Sequence, residues 1–513
     1  MNNLSKIKIL SRSSDLAVIQ AKEVGDLLKK NDHNLQIEYL KKETKGDNDL
    51  KTPLSEMPVQ GVFTNDLREY LKNKKCDLVV HSWKDLPIEL GAYTEIAGTP
   101  RRADQRDVLF INKNKIDKII HNKEINIFCS SPRRIYNLKK FIPDYFPHEC
   151  KKINFHNIRG NIPTRFKKFI ESDIEGFIVA KAAIDRLINN QIPEFQDLKI
   201  KINNLISKCL WIILPLSQNP CSPGQGALGL EIRKDDEDLK KRINAISENL
   251  DFLCVNKERE ILKKYGGGCH QNIGVSFFPT FFGIMKSERG QIENGENFNK
   301  WEWINRPKSE KKDIKENEIF PNNLKDYDFF QREDISQSIK FLNSIEKHSI
   351  WVSRKSAVPK NVKFSVSNIV WTSGLKTWKS LSSRGIWVNG SADGLGEDMN
   401  PNISSLSANP WIKLTHNLSS ESAIQNRLFT YQLIKKPINP EVFKKKYFFW
   451  MSFSAFSYAM EKNPSILDAY HACGPGNTYN QIKKIIKDKS KLQIYLSYED
   501  WKKDILKEKD NDK

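Results

Sequence analysis

The chain has 513 residues, about three and a half times the ~150 residues of a typical domain, which predicts three or four domains. Lysine and arginine total 83 against 63 aspartates and glutamates, so the formal charge is +20 and the isoelectric point is about 9.3. These values exclude a single small binding module and favour acidic partners. With 39% hydrophobic residues and a mean hydropathy of −0.57, the chain can build several cores, which excludes wholesale disorder.

No membrane segment or metal site is predicted. The longest apolar stretch, 210–216, contains Pro215 and is far shorter than the roughly 20 residues that span a bilayer. The first residues run into a strand pattern without an apolar signal segment, so we expect a cytoplasmic protein. The eight cysteines form no C-x-x-C pair and no metal-ligand spacing, which predicts mostly reduced core thiols.

Strand and helix patterns alternate in the first part of the chain. Residues 7–11 (IKILS) predict a strand, and apolar residues at helical spacing follow it behind a serine or aspartate cap. The same order recurs after 76–80, 125–129 and 177–180. This alternation predicts α/β domains, in which ligands bind beyond the carboxyl ends of the strands, beside helix N-termini that favour anions.

Basic and hydroxyl residues follow the predicted strands. The segments concerned are SRSS (11–14), HSWKDLP (81–87), SSPRR (130–134) and IRGNIPTR (158–165). One arginine beside a loop of so basic a chain carries little information, but successive junctions of this kind indicate a cleft for a ligand with several carboxylates or phosphates. No convincing G-x-x-x-x-G-K-[ST] or G-x-G-x-x-G motif is present, so a polycarboxylate is as good a candidate as a nucleotide.

A cysteine on a glycine loop is a candidate for covalent attachment. Residues 235–264 predict a helix in two pieces, followed by three glycines (266–268) and Cys269. Glycine gives the loop backbone freedom, which favours an exposed thiol that carries a group covalently. An ordinary helix end with an incidental thiol is the alternative.

The rest of the chain divides into a charged stretch and a further globular part. Residues 286–347 are rich in Lys, Glu, Asn and Asp, which predicts an extension or linker with one helix over 335–345. From Ile350 the apolar pattern returns and predicts another α/β unit.

Eight segments together resemble the hydroxymethylbilane synthase (porphobilinogen deaminase) family. They are SRSSDLAVIQA, ETKGD, HSWKDLP, RRADQRD, SSPRR, IRGNIPTR, PCSPGQGALGLE and GGGCHQNIG. The resemblance implies an α/β fold with two periplasmic-binding-protein-like domains and a small third α/β domain that carries the cofactor cysteine, followed here by a C-terminal α/β domain. The implied boundaries are 5–107 with 217–236, then 108–216, 237–345 and 346–513.

The resemblance also implies a reaction, a cofactor and a set of site residues. The family condenses four porphobilinogens head to tail, with loss of ammonia, to the linear tetrapyrrole hydroxymethylbilane. A dipyrromethane cofactor would be attached by a thioether to Cys269, and Asp85 would be catalytic, stabilising the cation left by ammonia loss. The residues implied to bind substrate and cofactor carboxylates are Arg12, Ser14, Ser82, Lys84, Ser130, Ser131, Arg133, Arg134, Arg159, Arg165, Arg186 and Gln225. Porphobilinogen is then the small-molecule partner, and a uroporphyrinogen-III synthase or the chain's own C-terminal domain is a candidate protein partner. We expect a monomer that binds neither nucleic acid nor membrane.

This chain departs from the family in one loop. Before GVF it reads TPLSEMPVQ, with Glu56 and Gln60 where the family carries lysines and glycines. The loop has lost positive charge, which predicts altered rate or lid behaviour.

Three alternatives stay open at this point. The residues 346–513 faintly resemble uroporphyrinogen-III synthase, so the chain is either a bifunctional enzyme that also cyclises hydroxymethylbilane or carries a degenerate or half domain with a docking role. A non-catalytic two-lobed polycarboxylate-binding protein is the alternative of another class, and it needs neither Asp85 nor Cys269. A nucleic-acid binder is suggested by charge alone and lacks a basic run interleaved with aromatics.

Overall fold

The computed structural model describes residues 6–44, 64–266, 272–292, 295–306 and 314–506. The chain divides into two compact units. Unit 1 comprises Met1–Asp144, His148–Asn305 and Ser404–Leu406, and unit 2 comprises Tyr145–Pro147, Arg306–Ile403 and Ser407–Lys513. Across the part of the chain that is described, no helix is both long and apolar enough to span a membrane.

Strands and helices alternate up to residue 304. The strands are β1 (Lys6–Arg12), β2 (Gln36–Lys42), β3 (Leu78–Ser82), β4 (Thr94–Gly98), β5 (Asp107–Asn112), β6 (Glu124–Phe128), β7 (Lys152–His156), β8 (Gly176–Ala180), β9 (Cys209–Ile213), β10 (Leu228–Arg233), β11 (Gly274–Thr280), β12 (Gly283–Gln291) and β13 (Asn297–Ile304). The helices are α1 (Asp15–Asn31), α2 (Asn65–Lys72), α3 (Ile116–Asn122), α4 (Pro132–Tyr145), α5 (Ile162–Glu171), α6 (Lys181–Asn189), α7 (Gln196–Ser207), α8 (Glu237–Ile246) and α9 (Asn249–Lys264).

Two five-stranded sheets of unit 1 share one strand order. The first is β2-β1-β3-β10-β4, in which β10 runs antiparallel to β3 and β4. The second is β7-β6-β8-β5-β9, in which β5 runs antiparallel to β8 and β9. The chain thus leaves the first sheet after β4, builds the second sheet, and returns through β10. The loops that follow β1 and β3, and those that follow β6 and β7, lie at the carboxyl edges of their sheets, where ligands bind in such folds.

The helices cover these sheets because their apolar residues recur on one face. In the first sheet Ile7 and Ile9 of β1 are fully buried, and they pack in one cluster with Val24 and Leu28 of α1. This burial is worth about 1.5–3 kcal/mol for each large aliphatic side chain. The strand ends therefore sit on a packed and rigid base.

A third, antiparallel sheet completes unit 1. It has the order β11-β12-β13, and its first strand packs on α9 through Cys254, Val275 and Phe277. The predicted α/β class is confirmed, with two sheets of matching order and a small additional domain.

Unit 2 contains two further sheets. Its strands are β14 (Ile319–Phe320), β15 (Phe330–Asp334), β16 (Ser349–Val352), β17 (Ile369–Thr372), β18 (Gly390–Ser391), β19 (Trp411–His416), β20 (Arg427–Lys435), β21 (Tyr447–Trp450), β22 (Tyr470–Cys473) and β23 (Leu492–Ile494). Its helices are α10 (Ser336–Ser344), α11 (Leu375–Ser382), α12 (Phe453–Lys462), α13 (Asn477–Ile485) and α14 (Tyr498–Leu506). The sheet orders are β15-β20-β19-β16-β17-β18, with β15 antiparallel to β20, and an all-parallel β14-β21-β22-β23.

The start of unit 2 differs from the expected boundary at 345/346. Residues 319–334 are polar overall, which favoured a linker, yet they supply one strand to each sheet of unit 2. A few apolar side chains, among them Ile319, Phe320 and Phe329, are buried and anchor the segment. Because α10 also forms here, the charged stretch is largely folded.

Candidate functional site

Three of the four basic strand-end segments of unit 1, HSWKDLP, SSPRR and IRGNIPTR, meet in one site that draws on both large sheets. β3 ends at Ser82, and a 3-10 turn over Trp83–Asp85 carries Lys84 and Asp85. The residues 157–161 follow β7 and lead into α5. The side chains that act on one another electrostatically are Lys84, Asp85, Asp107, Arg133, Arg134, Arg159 and Arg165. Charged side chains from separate parts of the sequence therefore lie close enough to interact electrostatically.

This cluster carries more positive than negative charge. Among the residues just named, five are cations and two are carboxylates, so three positive charges are in excess. Burial and the neighbouring guanidiniums of Arg134 and Arg159 lower the pKa of Arg165 to about 10, although Asp85 opposes this. Burial likewise lowers the pKa of Lys84. An anion with several carboxylates would neutralise this surplus, which is the electrostatic requirement of a polycarboxylate site.

Arg134 has one buried N–H donor without a hydrogen-bond partner among the described residues. Its Nη2 donates to Asp107 Oδ1 at 2.7 Å. Its Nε is buried and has no hydrogen-bond partner among the described residues. Buried N–H groups are almost always satisfied, so this donor indicates a missing acceptor. Burial alone would lower the pKa of Arg134, but the Asp107 carboxylate raises it, so the guanidinium stays charged.

The buried carboxylate of Asp107 holds Arg133 and Arg134 in place by hydrogen bonds. Its carboxylate is fully buried and accepts from Arg133 Nη2 at 3.0 Å, Arg134 Nη2 at 2.7 Å, Asn219 Nδ2 at 2.8 Å and Gln225 Nε2 at 2.9 Å. Burial would raise the pKa of Asp107, but the two guanidiniums outweigh it and hold the pKa well below its usual value. Asp107 begins β5 and Gln225 precedes β10, so the network ties together the two crossings between the sheets.

Three of the predicted carboxylate-binding residues are held by protein partners. Arg133 is 4% exposed and also donates to Pro220 O at 2.7 Å, and Gln225 is 1% exposed. Arg186 of α6 donates to Glu23 Oε2 of α1 at 2.9 Å and to Gly226 O at 3.1 Å. The structure places these three side chains as supports that connect the two sheets of unit 1.

The predicted serines lie at the strand ends. Ser14 is the N-cap residue of the 17-residue helix α1, and its side chain makes no cap bond. The N-terminus of this helix, which favours anions, directly follows the end of β1 at Arg12. Ser82 Oγ donates to Gln20 at 3.1 Å. Ser130 Oγ accepts from Ile158 N at 2.9 Å and so holds the loop of Arg159 against the segment of Ser131.

Several supporting residues gave no signal in the sequence. Asp107 stands inside the RRADQRD segment, but nothing in its spacing shows that four donors converge on it. Glu258 of α9 is fully buried, pairs with Arg102 at 2.7 Å, and accepts from Gly224 N and Phe277 N. It fixes α9 to the segment that precedes β10. Cys269, Glu56 and Gln60 lie outside the described residues.

Comparisons with known proteins place the chain among porphobilinogen deaminases by sequence. A family model described as porphobilinogen deaminase, dipyromethane cofactor binding domain, matches residues 7–241. The porphobilinogen deaminase of Clostridium novyi (strain NT) is 35% identical over 272 residues, which is 53% of this chain and 83% of that protein. That of Natranaerobius thermophilus is 33% identical over 299 residues, 56% of this chain and 86% of that protein. Among solved structures, the methionine-binding protein MetQ is similar at a TM-score of 0.29 and 10% identity, over 52% of this chain and 97% of that one.

Proposed function

The chain belongs to the porphobilinogen deaminase family, and we propose that the basic cluster of unit 1 is where it carries out that family's reaction. It is a transferase, a hydroxymethylbilane synthase, that condenses four porphobilinogens head to tail with loss of ammonia. The observation that supports this location is the surplus of three positive charges around Asp85. Each porphobilinogen brings an acetate and a propionate, so a growing chain of pyrroles is a polycarboxylate that such a surplus attracts.

The residues of the cluster fit the dipyrromethane cofactor of this family. The buried Nε of Arg134 needs an acceptor, and Lys84 and Arg165 lie in a cluster whose positive charges exceed its carboxylates. We infer that these three, with Arg159 and Arg12, hold the acetates and propionates of cofactor and substrate. When bound, the cofactor supplies the pyrrole carbon to which the first substrate unit is joined. Its attachment to Cys269 is proposed on the GGGCHQNIG segment, which directly follows α9.

Asp85 is proposed as the catalytic carboxylate. In each addition the C–N bond of the substrate's aminomethyl group breaks and ammonia leaves, which gives an electron-poor methylene carbon. A C–C bond then forms between this carbon and a pyrrole carbon, and that pyrrole carbon loses a proton. Asp85 lies on an exposed turn beside Arg165 and Lys84. The Asp85 carboxylate stabilises the cation that ammonia loss leaves, and it accepts the proton that the pyrrole carbon loses.

Arg133, Arg186 and Gln225 support this site in the proposal. Their side chains already bind Asp107, Pro220 and Gly226 at the crossings between the sheets, and Glu23 of α1. They therefore fix the angle at which the two sheets present their strand ends. This role follows from their burial and their bonds.

Intact mass of the purified chain tests the proposed function directly. We expect a mass increase of a two-pyrrole group, a colour with Ehrlich's reagent, and a modified peptide that contains Cys269. The Cys269→Ser chain should show neither adduct nor colour. An unmodified wild-type chain that stays unmodified after incubation with porphobilinogen would refute the proposal and favour the polycarboxylate-binding alternative.

A second candidate function concerns unit 2. Unit 2 forms two α/β sheets, with β14 in one and β15 in the other, as a two-lobed uroporphyrinogen-III synthase would require. Two sheets argue against a half domain, and the choice between a cyclising enzyme and a degenerate domain is left to experiment. The test is the isomer composition of the porphyrin that forms from porphobilinogen. An active unit 2 gives the type III isomer, whereas spontaneous ring closure gives type I.

A further inference from the structure

Helix α9 contacts the segment that carries Asp85. Phe252 and Trp83 lie with ring centroids 5.3 Å apart, and Val255 packs with Trp83 and Leu86 in one buried cluster. At the far end of the same face, Lys263 pairs with Glu89 at 3.0 Å. The helix that leads to the glycine loop of Cys269 therefore runs along the turn that presents the catalytic carboxylate.

Arg259 supplies the polar part of this contact. Its Nη1 donates to Leu86 O at 3.3 Å, and its Nη2 donates to Pro87 O. These are consecutive carbonyls, one and two residues after Asp85. A planar guanidinium that binds both of them fixes the direction of the peptide chain there. Pro87 has no backbone N–H and cannot donate a hydrogen bond, so the two bonds from Arg259 matter more for the order of this segment.

The position is costly for an arginine, which argues that the cation is needed. No carboxylate pairs with Arg259 among the described residues. Burial and the nearby Arg68 lower the pKa of Arg259 to about 10. Leu or Met would fill the same space without burying a charge, but neither donates to the two carbonyls.

We propose that Arg259 is a positioning residue for the deaminase reaction, since it holds the peptide after Asp85 on the helix that leads to Cys269. This inference rests on the proposed function. Arg259 keeps the Asp85 carboxylate at a constant place relative to α9 while the pyrrole chain lengthens. Displacement of a reacting group by about 1 Å can lower a rate on the order of 100-fold.

The structure offers a matched control in unit 2. Arg384 also donates only to backbone carbonyls, those of Val358 at 3.0 Å, Pro359 at 2.6 Å and Lys360 at 3.4 Å. Burial lowers its pKa as well. Arg384→Met therefore repeats the chemical change of Arg259→Met in the other unit of the chain.

The experiment uses full-length chains loaded with cofactor, namely wild type, Arg259→Met, Arg259→Lys and Arg384→Met. Ammonia release from porphobilinogen is measured per cofactor-bearing chain, so that unfolded protein does not contribute. Hydrogen exchange of the amides in 83–89 reports the order of the turn without any reference to activity. We expect Arg259→Met to lower kcat by up to about 100-fold with little change in KM, and to speed exchange in 83–89.

Arg259→Lys keeps one cationic donor and should lie between wild type and Arg259→Met, while Arg384→Met should match wild type in both readouts. If Arg259→Met does not fold, the comparison of Arg259→Lys with Arg384→Met decides. A wild-type kcat in the Arg259 variants, or a lower kcat without faster exchange in 83–89, would overturn the positioning role. A wild-type chain without dipyrromethane would overturn the proposed function itself, and this role with it.

Discussion

The substitution Asp107→Asn tests the network beneath the site most sharply. The Asp107 carboxylate is fully buried and accepts from four donors, two of which belong to arginines. Asparagine has nearly the same shape but carries no charge and replaces one acceptor oxygen by a donor. The guanidiniums of Arg133 and Arg134 would then be buried without a carboxylate, and at least one donor would face another donor.

The size of the effect follows from these contacts. Removing one partner of a buried ion pair costs about 3–5 kcal/mol. Whole domains are stable by only about 5–15 kcal/mol, so unit 1 would lose a large part of its stability. Because the folded pKa of Asp107 lies below its unfolded value of about 3.9, its contribution is fully present above that pH and is lost as the pH falls through the folded pKa. The difference between wild type and variant should therefore shrink below about pH 4.

Hydrogen exchange in increasing urea measures this loss strand by strand. Peptides from β5 should lose protection, while peptides from β16 of unit 2 serve as the internal reference. Asp173→Asn is the matched control, because Asp173 also forms an ion pair, with Lys118 at 2.6 Å, but is 86% exposed and should give no resolvable change. The reasoning is refuted if β5 in Asp107→Asn loses less than about 1 kcal/mol, the value of an exposed pair, or if the loss is as large at pH 3 as at pH 7.

Three further outcomes are expected. Asp85→Asn should keep the dipyrromethane adduct but turn over slower by at least about 100-fold, the usual contribution of a general acid–base group, and normal ammonia release would contradict its catalytic role. Arg165→Ala should raise the KM for porphobilinogen and weaken its salt dependence, since it removes a partly buried cation that makes no ion pair among the described residues; an unchanged KM would exclude Arg165 from carboxylate binding. A chain that ends at Asn305 should retain deaminase activity while losing any type III product, and loss of both would show that unit 2 stabilises unit 1.

The sequence predicted the site where its signal is local. Strand-end segments such as HSWKDLP and IRGNIPTR sit where an α/β fold places ligands, so the alternation of strands and helices located them. The same alternation predicted the α/β class, eight local segments indicated the family, and the pattern within 286–347 predicted the helix over 335–345. The cytoplasmic location and the monomeric state stay predictions.

The supporting residues were not predictable in this way, because their roles depend on contacts across long stretches of chain. Arg133 and Arg134 are adjacent and identical, yet one is nearly fully buried and the other keeps an unpartnered Nε at the site. The two arginines differ in role because of their contacts with Asp107, Asn219 and Gln225, which the sequence does not reveal. Likewise the buried Ile319 and Phe320 stand among charged residues, and their partners in β21 are more than 120 residues away.

The arginines of unit 1 thus have two roles, structural support and ligand binding. Which role an arginine has depends on whether a protein carboxylate pairs with it. Where a protein carboxylate neutralises the guanidinium, as Glu258 does for Arg102 and Asp107 for Arg133, the arginine ties segments together. Arg165 makes no ion pair among the described residues, although Asp85 acts on it electrostatically, so its charge can act on a ligand. Arg134 lies on the boundary, since one nitrogen holds Asp107 and another lacks a partner. A ligand carboxylate that binds Arg134 therefore acts on a residue of the Asp107 network, which connects the two crossings between the sheets. We expect ligand binding and the stability of this network to be energetically coupled.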